Sequence, residues 1–337
     1  MTNHDLTLIQ MSDVKAKSVS FLIFPYIPTG KITILQGDPG DGKTTIILWL
    51  AAKLSRGEPI LDEEGREPIN IIYQTAEDGL ADTIKPRLEA AGADSSRVFV
   101  IDDSSESLSM CDDRLEQAII ETNAQLVILD PLQAFLGANV DMHRANEIRP
   151  IMSHLAALAE KYDCAVVLIG HMNKSMANKA TYRGLGSIDI PASSRSVLLL
   201  SRIKDNPTIR VMLQIKNNLA EEGDPIAFEL NKKTGFRLIG KYNITADELL
   251  NGTTNLTKTE QAEKMIKDIL SDGIAKPQPY FIEQGKYRNI CERTVIKAKQ
   301  NLGVKSVRSM ASGSGTFPNQ HCKRVSNKEL CTLALSL

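Results

Sequence analysis

Cysteine is scarce in this 337-residue chain, and what there is has no pattern. Cys111, Cys164, Cys291, Cys322 and Cys331 are scattered, odd in number and free of Cys-x-x-Cys spacing, which argues against a disulfide framework and a zinc site and leaves free thiols. Aromatic residues make up 5% of the sequence, with a single tryptophan. No apolar run approaches the ~20 residues needed to span a bilayer, and the start "MTNHDLTLIQ" has no leader pattern. The expected location is the cytoplasm, with no membrane partner. Neither sign of charge dominates, since 40 Lys/Arg oppose 41 Asp/Glu. That balance hides a polarity: residues 255–337 carry 14 Lys/Arg and 7 Asp/Glu, a net +7, which leaves −8 for the rest of the chain. A basic end of that kind suits a polyanion.

What is present reads as an α/β protein. From residue 20 to about 240, the apolar runs "KITILQ", "INIIYQT", "VFVID", "LVILD", "AVVLIG", "SVLLLSR", "IRVMLQIK" and "IAFEL" alternate with helical stretches at 44–55, 79–91, 112–122 and 145–161. Strands apolar on both faces and separated by amphipathic helices imply a mostly parallel sheet covered on both sides. The last two or three strands lack intervening helices, so an antiparallel extension is expected at one edge. The spacing predicts a tail at 1–17, a main domain at 18–240, a polar connector at 241–258, a small domain at 259–325 and a tail at 326–337.

The stretch "ILQGDPGDGKTTIILWL" holds the spacing of a phosphate cradle, Gly-x4-Gly-Lys-Thr, between a strand and a helix. In such a loop the backbone N–H groups and the following helix dipole bind the anion. The expected nucleotide-binding residues are Gly37, Asp38, Pro39, Gly40, Asp41, Gly42, Lys43, Thr44 and Thr45. Asp38 and Asp41 fall at variable positions whose side chains can turn to solvent. Lys43 would reach the β- and γ-phosphates of ATP and the Thr44 hydroxyl would ligate Mg²⁺.

Other strand ends carry polar residues that converge in an open α/β sheet. "QLVILDP" ends in Asp130, the expected partner of Thr44 at Mg²⁺. "INIIYQTAED" presents Glu77, a carboxylate able to orient an attacking water, and Asp78, expected to cap the following helix. "CAVVLIGHMNK" ends in His171, placed to report the state of the γ-phosphate.

Together "GDPGDGKT", Glu77, "VILDP", "LIGHMNK" and "YRGLGSIDIPASSRSVLLL" resemble the RepA-like branch of the RecA/DnaB superfamily of P-loop ATPases, the plasmid- and phage-type replicative helicases, over about residues 18–240. The resemblance implies a RecA-like core, a ring-forming homo-oligomer, expected to be a hexamer, and ATP bound between neighbouring subunits. It implies that the loop after the His171 strand faces single-stranded DNA, which makes Lys174, Lys179 and Arg183 candidate DNA contacts. It also implies a Lys-x-Arg element on a late strand reaching the neighbour's ATP. Here "QIKNNLAEEGDP" has Lys216 but Asn218 in place of arginine, so either Lys216, or an arginine such as Arg202 or Arg210, is the replacement, or turnover is slow.

The C-terminal segment reads as an amphipathic helix with Ala262, Met265, Ile266, Ile269 and Leu270 on one side, then helix, turn and helix, then two strands around a Gly/Ser tip. That is the pattern of a winged helix-turn-helix, and it resembles the winged-helix tails of RepA-like ATPases of mobile elements. Between 286 and 308 seven basic residues oppose Glu292 alone, and Arg293, Lys297, Lys299, Lys305 and Arg308 are the expected duplex contacts. Winged helices also dock proteins. The expected function is an ATP-hydrolysing, DNA-acting protein, a hexameric replicative helicase or helicase-related replication protein of a plasmid, phage or integrated element. The alternatives are a DNA-binding loader or recombination mediator using ATP as an assembly switch, and a KaiC-like regulatory ATPase whose turnover ignores DNA.

Overall fold

The computed structural model describes residues 8–138, 140–172, 189–204, 206–231, 235–251, 258–270, 276–288, 290–308 and 320–323. The chain divides into two compact units, Met1–Gly252 and Thr253–Leu337.

In the first unit a short hairpin, β1 (Phe21–Ile23) and β2 (Ile27–Pro28), precedes β3 (Ile32–Gly37) and α1 (Lys43–Ser55). Then come β4 (Ile71–Thr75), α2 (Lys85–Ala90), β5 (Val98–Phe99), α3 (Asp113–Thr122), β6 (Leu126–Asp130), α4 (Ala145–Lys161) and β7 (Ala165–His171). The unit closes with α5 (Asp189–Ser193), β8 (Ser196–Ile203), β9 (Asn206–Asn217), β10 (Ile226–Asn231), β11 (Gly235–Lys241) and α6 (Ala246–Asn251). Among the described residues one nine-stranded sheet runs in the order β11-β10-β9-β8-β3-β7-β6-β4-β5. The six strands from β8 to β5 are parallel, and β9, β10 and β11 extend them antiparallel at one edge.

Alternation of side chains along the strands divides the core in two. Leu35, Ile71, Tyr73, Ile128, Val167 and Ile169 pack with Ile46, Ile47, Leu50 and Leu54 of α1 on one face. Ile34, Ile72, Val127, Leu129, Val166 and Leu168 pack with α3 and α4, through Leu115, Ile119, Ile148, Met152 and Leu155, on the other. Burial of each such side chain stabilises the fold by about 1.5–3 kcal/mol, and truncating one to alanine costs about 2–5 kcal/mol.

The structure departs from the sequence reading in three places. The helix expected at 79–91 begins as a π-helical turn, Leu80–Ile84, before α2. "VFVID" yields only the two-residue edge strand β5. The polar segment after residue 240 is not a free connector up to 258, because α6 buries Leu249 against Leu199, Val211, Leu213 and Ala227. Three apolar residues at helical spacing were outweighed there by polar composition.

The second unit comprises α7 (Lys258–Ile269), β12 (Lys276–Pro277), α8 (Gln278–Tyr287), α9 (Glu292–Asn301), β13 (Lys305–Arg308) and β14 (Gln320–Lys323). Ala262, Met265, Ile266, Leu270, Phe281, Ile290, Val295 and Ala298 form its core. β14 pairs antiparallel with both β12 and β13. Among the described residues no helix is long and apolar enough to cross a membrane.

Candidate active site

Parallel pairing brings four strand ends to one edge of the sheet. Gly37 lies in register with His171, and Thr75 with Asp130. β3 is flanked by β7 and β8 although neither follows it in sequence, so its carboxyl end is a point where strand order reverses, the usual place for a ligand crevice. The loop of residues 38–42 leaves that point and enters α1 through Gly42, whose φ of 95° lies in the left-handed region. No side chain caps α1, so its first N–H groups remain directed at whatever the loop holds.

Lys43 is buried within the loop. Its Nζ donates to the carbonyls of Gly37 at 2.9 Å and Asp38 at 3.0 Å, and lies 3.2 Å from Nδ1 of His171. Burial pulls its ammonium below the ordinary lysine range, against the attraction of Asp41, Asp130, Asp38 and Glu77. On the far side of the imidazole, Nε2 of His171 is 3.8 Å from Oε1 of Glu77, whose side chain is 62% exposed. Lys43, His171 and Glu77 therefore form a row across three strand ends. Asp78 is not the helix cap: Gly79 holds that position, and Asp78 pairs with Arg87 at 3.0 Å.

A second cluster adjoins the first. Thr44 donates its hydroxyl to Oδ2 of Asp130 at 2.8 Å, and the buried Tyr73 hydroxyl donates to the same oxygen at 2.9 Å. Burial raises the Asp130 carboxyl, while the Thr44 and Tyr73 hydrogen bonds hold it down. Burial and the neighbouring Asp130 push the Tyr73 hydroxyl far above its usual range, so it remains a donor. One hydroxyl and one carboxylate are hard oxygen donors that fit Mg²⁺, which is usually bound through one or two carboxylates together with phosphate and water. Oδ1 of Asp130 takes no hydrogen bond among the described residues and is available to such an ion.

The two loop aspartates behave differently. Asp38 is exposed, but Asp41 is buried rather than turned to solvent. Its Oδ2 accepts from the Asp38 N–H at 3.2 Å and its Oδ1 from Nε of Arg202 at 2.8 Å. No local pattern pairs Asp41 with Arg202, since 161 residues separate them.

Lys216 is not brought to this loop. It lies opposite Val197, which is in register with Ile34, three residues before Gly37. Its Nζ donates to the carbonyls of Pro191, Ala192 and Ser194 at 2.8, 3.1 and 2.8 Å, which anchors the end of α5. Asn218 donates its N–H to the Arg195 carbonyl at 3.0 Å. Arg210, opposite Arg202 on β9, is buried and donates to the Pro207 carbonyl.

A groove of about 510 Å³ begins at Thr45 and is lined by Trp49, Arg87, Leu230, Gly235 and Phe236 among others. The Trp49 and Phe236 rings stand 5.0 Å apart, inclined by 31°. Sequence reading missed this groove because β11 reaches α1 only through the antiparallel edge.

In the second unit Arg293 and Lys297 are exposed on α9, as expected of contact residues. Lys299 is not: it is buried, within 3.4 Å of Gln278 Oε1 and 5.8 Å from the Phe281 ring centroid. It sits one position past Ala298 on the edge of the apolar stripe, so α8 covers it. Lys305 and Arg308 lie on β13, and their side chains are outside the description. Lys174, Lys179 and Arg183 fall outside the described residues.

The sequence pattern of the AAA domain family matches residues 4–177. The DNA repair protein RadA of Halalkalibacterium halodurans is 23% identical over 253 residues, 74% of this chain and 50% of that protein. RadA of Streptococcus pneumoniae is 21% identical over 254 residues, 74% of this chain and 54% of that protein. The chain thus spans about half the length of the curated relatives it matches. Among solved structures, the ATPase domain of G40P aligns with a TM-score of 0.49 and 15% identity, covering 64% of this chain and 86% of that one.

Proposed function

This chain belongs to the AAA domain family, and from that premise we propose that it is a Mg²⁺-dependent ATPase of RecA-like architecture that acts on DNA. The observation that carries the reading is the row Lys43–His171–Glu77 beside the Thr44–Asp130 pair, all at the mouth of one phosphate loop. In this reading Lys43 exchanges one of its carbonyl partners for a phosphate oxygen, and the α1 N–H groups take the remainder. Thr44 and Asp130 would hold Mg²⁺, which when bound supplies positive charge against the triphosphate. Glu77, exposed and unpaired by any lysine or arginine among the described residues, orients the attacking water and accepts its proton. His171 touches both the phosphate-binding lysine and the water-orienting carboxylate, so loss of the γ-phosphate alters its surroundings on two sides. The next residues in the chain are those proposed to meet DNA, Lys174, Lys179 and Arg183. The Thr45–Trp49–Phe236 groove is the proposed nucleoside site, since its lining includes Thr45, next to Thr44 in the chain, and two aromatic side chains.

DNA as the partner is supported by relatives named for DNA repair and by the basic second unit, where Arg293 and Lys297 face outward on a helix of a winged-helix-like unit. The replicative helicase of a mobile element is the finer form of this reading, with a hexameric ring as its assembly. A specific observation also favours the slower alternative, ATP as an assembly switch: Lys216 is committed to three carbonyls and Asn218 stands where an arginine finger is expected.

The test is steady-state ATP hydrolysis with and without single-stranded DNA, with Lys43→Ala as the blank. Hydrolysis abolished in Lys43→Ala and stimulated by DNA is the expected result. Slow turnover indifferent to DNA moves the protein to the switch or regulatory class, and turnover retained by Lys43→Ala removes the ATPase assignment.

A further inference from the structure

We infer that Arg202 is a positioning residue whose task is to neutralise Asp41, so that a phosphate loop with a buried carboxylate in its wall can still accept a polyanion. The inference rests on the ATP-binding reading of that loop.

The geometry has three parts. Asp41 is in the loop itself, one residue before Gly42 and two before Lys43, and its side chain is only 6% exposed. Both carboxylate oxygens are used: Oδ2 receives the Asp38 N–H at 3.2 Å and Oδ1 receives Nε of Arg202 at 2.8 Å. Arg202 comes from β8, the strand next to β3, and its Nη2 lies against the loop backbone, 3.5 Å from the Pro39 carbonyl. Gly40 makes that approach possible, because a Cβ there would stand 2.8 Å from Nη2, and its φ of 77° is one that glycine tolerates. The guanidinium is therefore fitted to the outer wall of the loop across Gly40, with Asp41 as its anchor.

Electrostatics decides what the pair is for. A carboxylate two residues from the phosphate-binding lysine opposes a triphosphate, and burial strengthens the opposition because the site is poorly screened. Burial raises the Asp41 carboxyl, and the Arg202 hydrogen bond and charge draw it back. The other charges near the pair are Asp38, Lys43 and Arg210. Lys43 is directed at the loop carbonyls and His171, and Arg210 at the Pro207 carbonyl, so Arg202 is the cation that Asp41 contacts directly. The side chain of Arg202 is 41% exposed, which lets it be replaced without opening the core.

The experiment measures binding of Mg²⁺·ATP to the full chain by calorimetry at pH 8, together with kcat and KM for hydrolysis and the thermal midpoint of each variant. Arg202→Gln is expected to weaken ATP binding by about tenfold or more, with Arg202→Lys retaining most of the affinity. The double variant Asp41→Asn/Arg202→Gln is expected to regain affinity to within about threefold of the unaltered protein, because the harm done by Arg202→Gln is the uncompensated carboxylate. A double variant as weak as Arg202→Gln alone overturns the inference and makes Arg202 a direct nucleotide contact. Arg202→Gln binding like the unaltered protein also overturns it, as does a fall in kcat with unchanged ATP affinity, which would assign Arg202 to catalysis. Failure of the underlying reading is distinguishable: the unaltered protein itself would then not bind ATP, or Lys43→Ala would bind it equally.

Discussion

Nζ of Lys43 lies 3.2 Å from Nδ1 of His171, although 128 residues separate the two in the chain. The contact exists because β3 and β7 are parallel neighbours with Gly37 and His171 in register. A lysine ammonium can only donate, so this contact suits the His171 tautomer that accepts at Nδ1, and the opposite ring nitrogen, Nε2, lies 3.8 Å from Glu77. The proposed phosphate-binding cation and the proposed water-orienting carboxylate thus lie on either side of one imidazole.

From that row, Glu77→Gln is expected to bind ATP within a few-fold of the unaltered protein and to lose about 10²- to 10⁴-fold in kcat. Calorimetry and single-turnover hydrolysis check the two halves separately. Unaltered turnover would show that another group handles the water.

Trp49 is the only tryptophan of the chain, and it stands on the wall of the groove that begins at Thr45. Saturating ATP is expected to change its emission, and Phe236→Ala to weaken ATP binding more than it weakens inorganic triphosphate binding. Equal losses for both ligands would place the nucleoside elsewhere.

Asp130 carries a testable pH dependence. Burial raises its folded-state pKa, so the folded protein binds this proton more tightly than the unfolded chain does. The resulting stability is present below the ordinary aspartate value of about 3.9 and declines as pH rises through the raised folded value. Without nucleotide, Asp130→Asn is therefore expected to be at least as stable as the unaltered protein at neutral pH, with that advantage shrinking as the solution is acidified. Thermal midpoints across pH 4–8, with the usual carboxylate range of about 3.9–4.3 as the reference, check the sign. A Mg²⁺·ATP-induced rise in midpoint is expected for the unaltered protein and not for Asp130→Asn.

The second unit separates two lysines that look alike in sequence. Lys297→Ala is expected to weaken DNA binding and lower the salt dependence by about one ion while leaving stability within about 0.5 kcal/mol. Lys299→Ala is expected to do the reverse, costing about 1–2 kcal/mol through its lost packing and its contact with the Phe281 ring. Binding titrations at two salt concentrations alongside thermal unfolding distinguish them. A DNA-binding loss confined to Lys299→Ala would reverse the assignment.

The sequence alone determined whatever depends on local pattern. Continuous apolar runs defined the parallel strands, which are buried on both faces, and 3.6-residue periodicity defined α1, α3 and α4. Gly37, Gly42, Lys43 and Thr44 were legible because a phosphate loop is a local backbone structure with fixed spacing. Asp130 and His171 were legible as polar residues ending apolar strands, and parallel pairing then brought them to one edge. Composition hid α6, since its few apolar residues matter only against β8 and β9.

Only the tertiary structure decided pairings between distant strands and the facing of single side chains. Arg202 reaches Asp41 because β8 lies beside β3, an adjacency that strand propensity does not encode. Tyr73 meets Asp130 because β4 lies beside β6, with Thr75 and Asp130 in register. Lys216, expected to reach a neighbouring subunit's ATP, donates to the carbonyls that end α5, and Lys299, expected at DNA, is covered by α8. A residue's charge is written in the sequence, but the surroundings that give the charge its use are assembled only when elements far apart in the chain pack together.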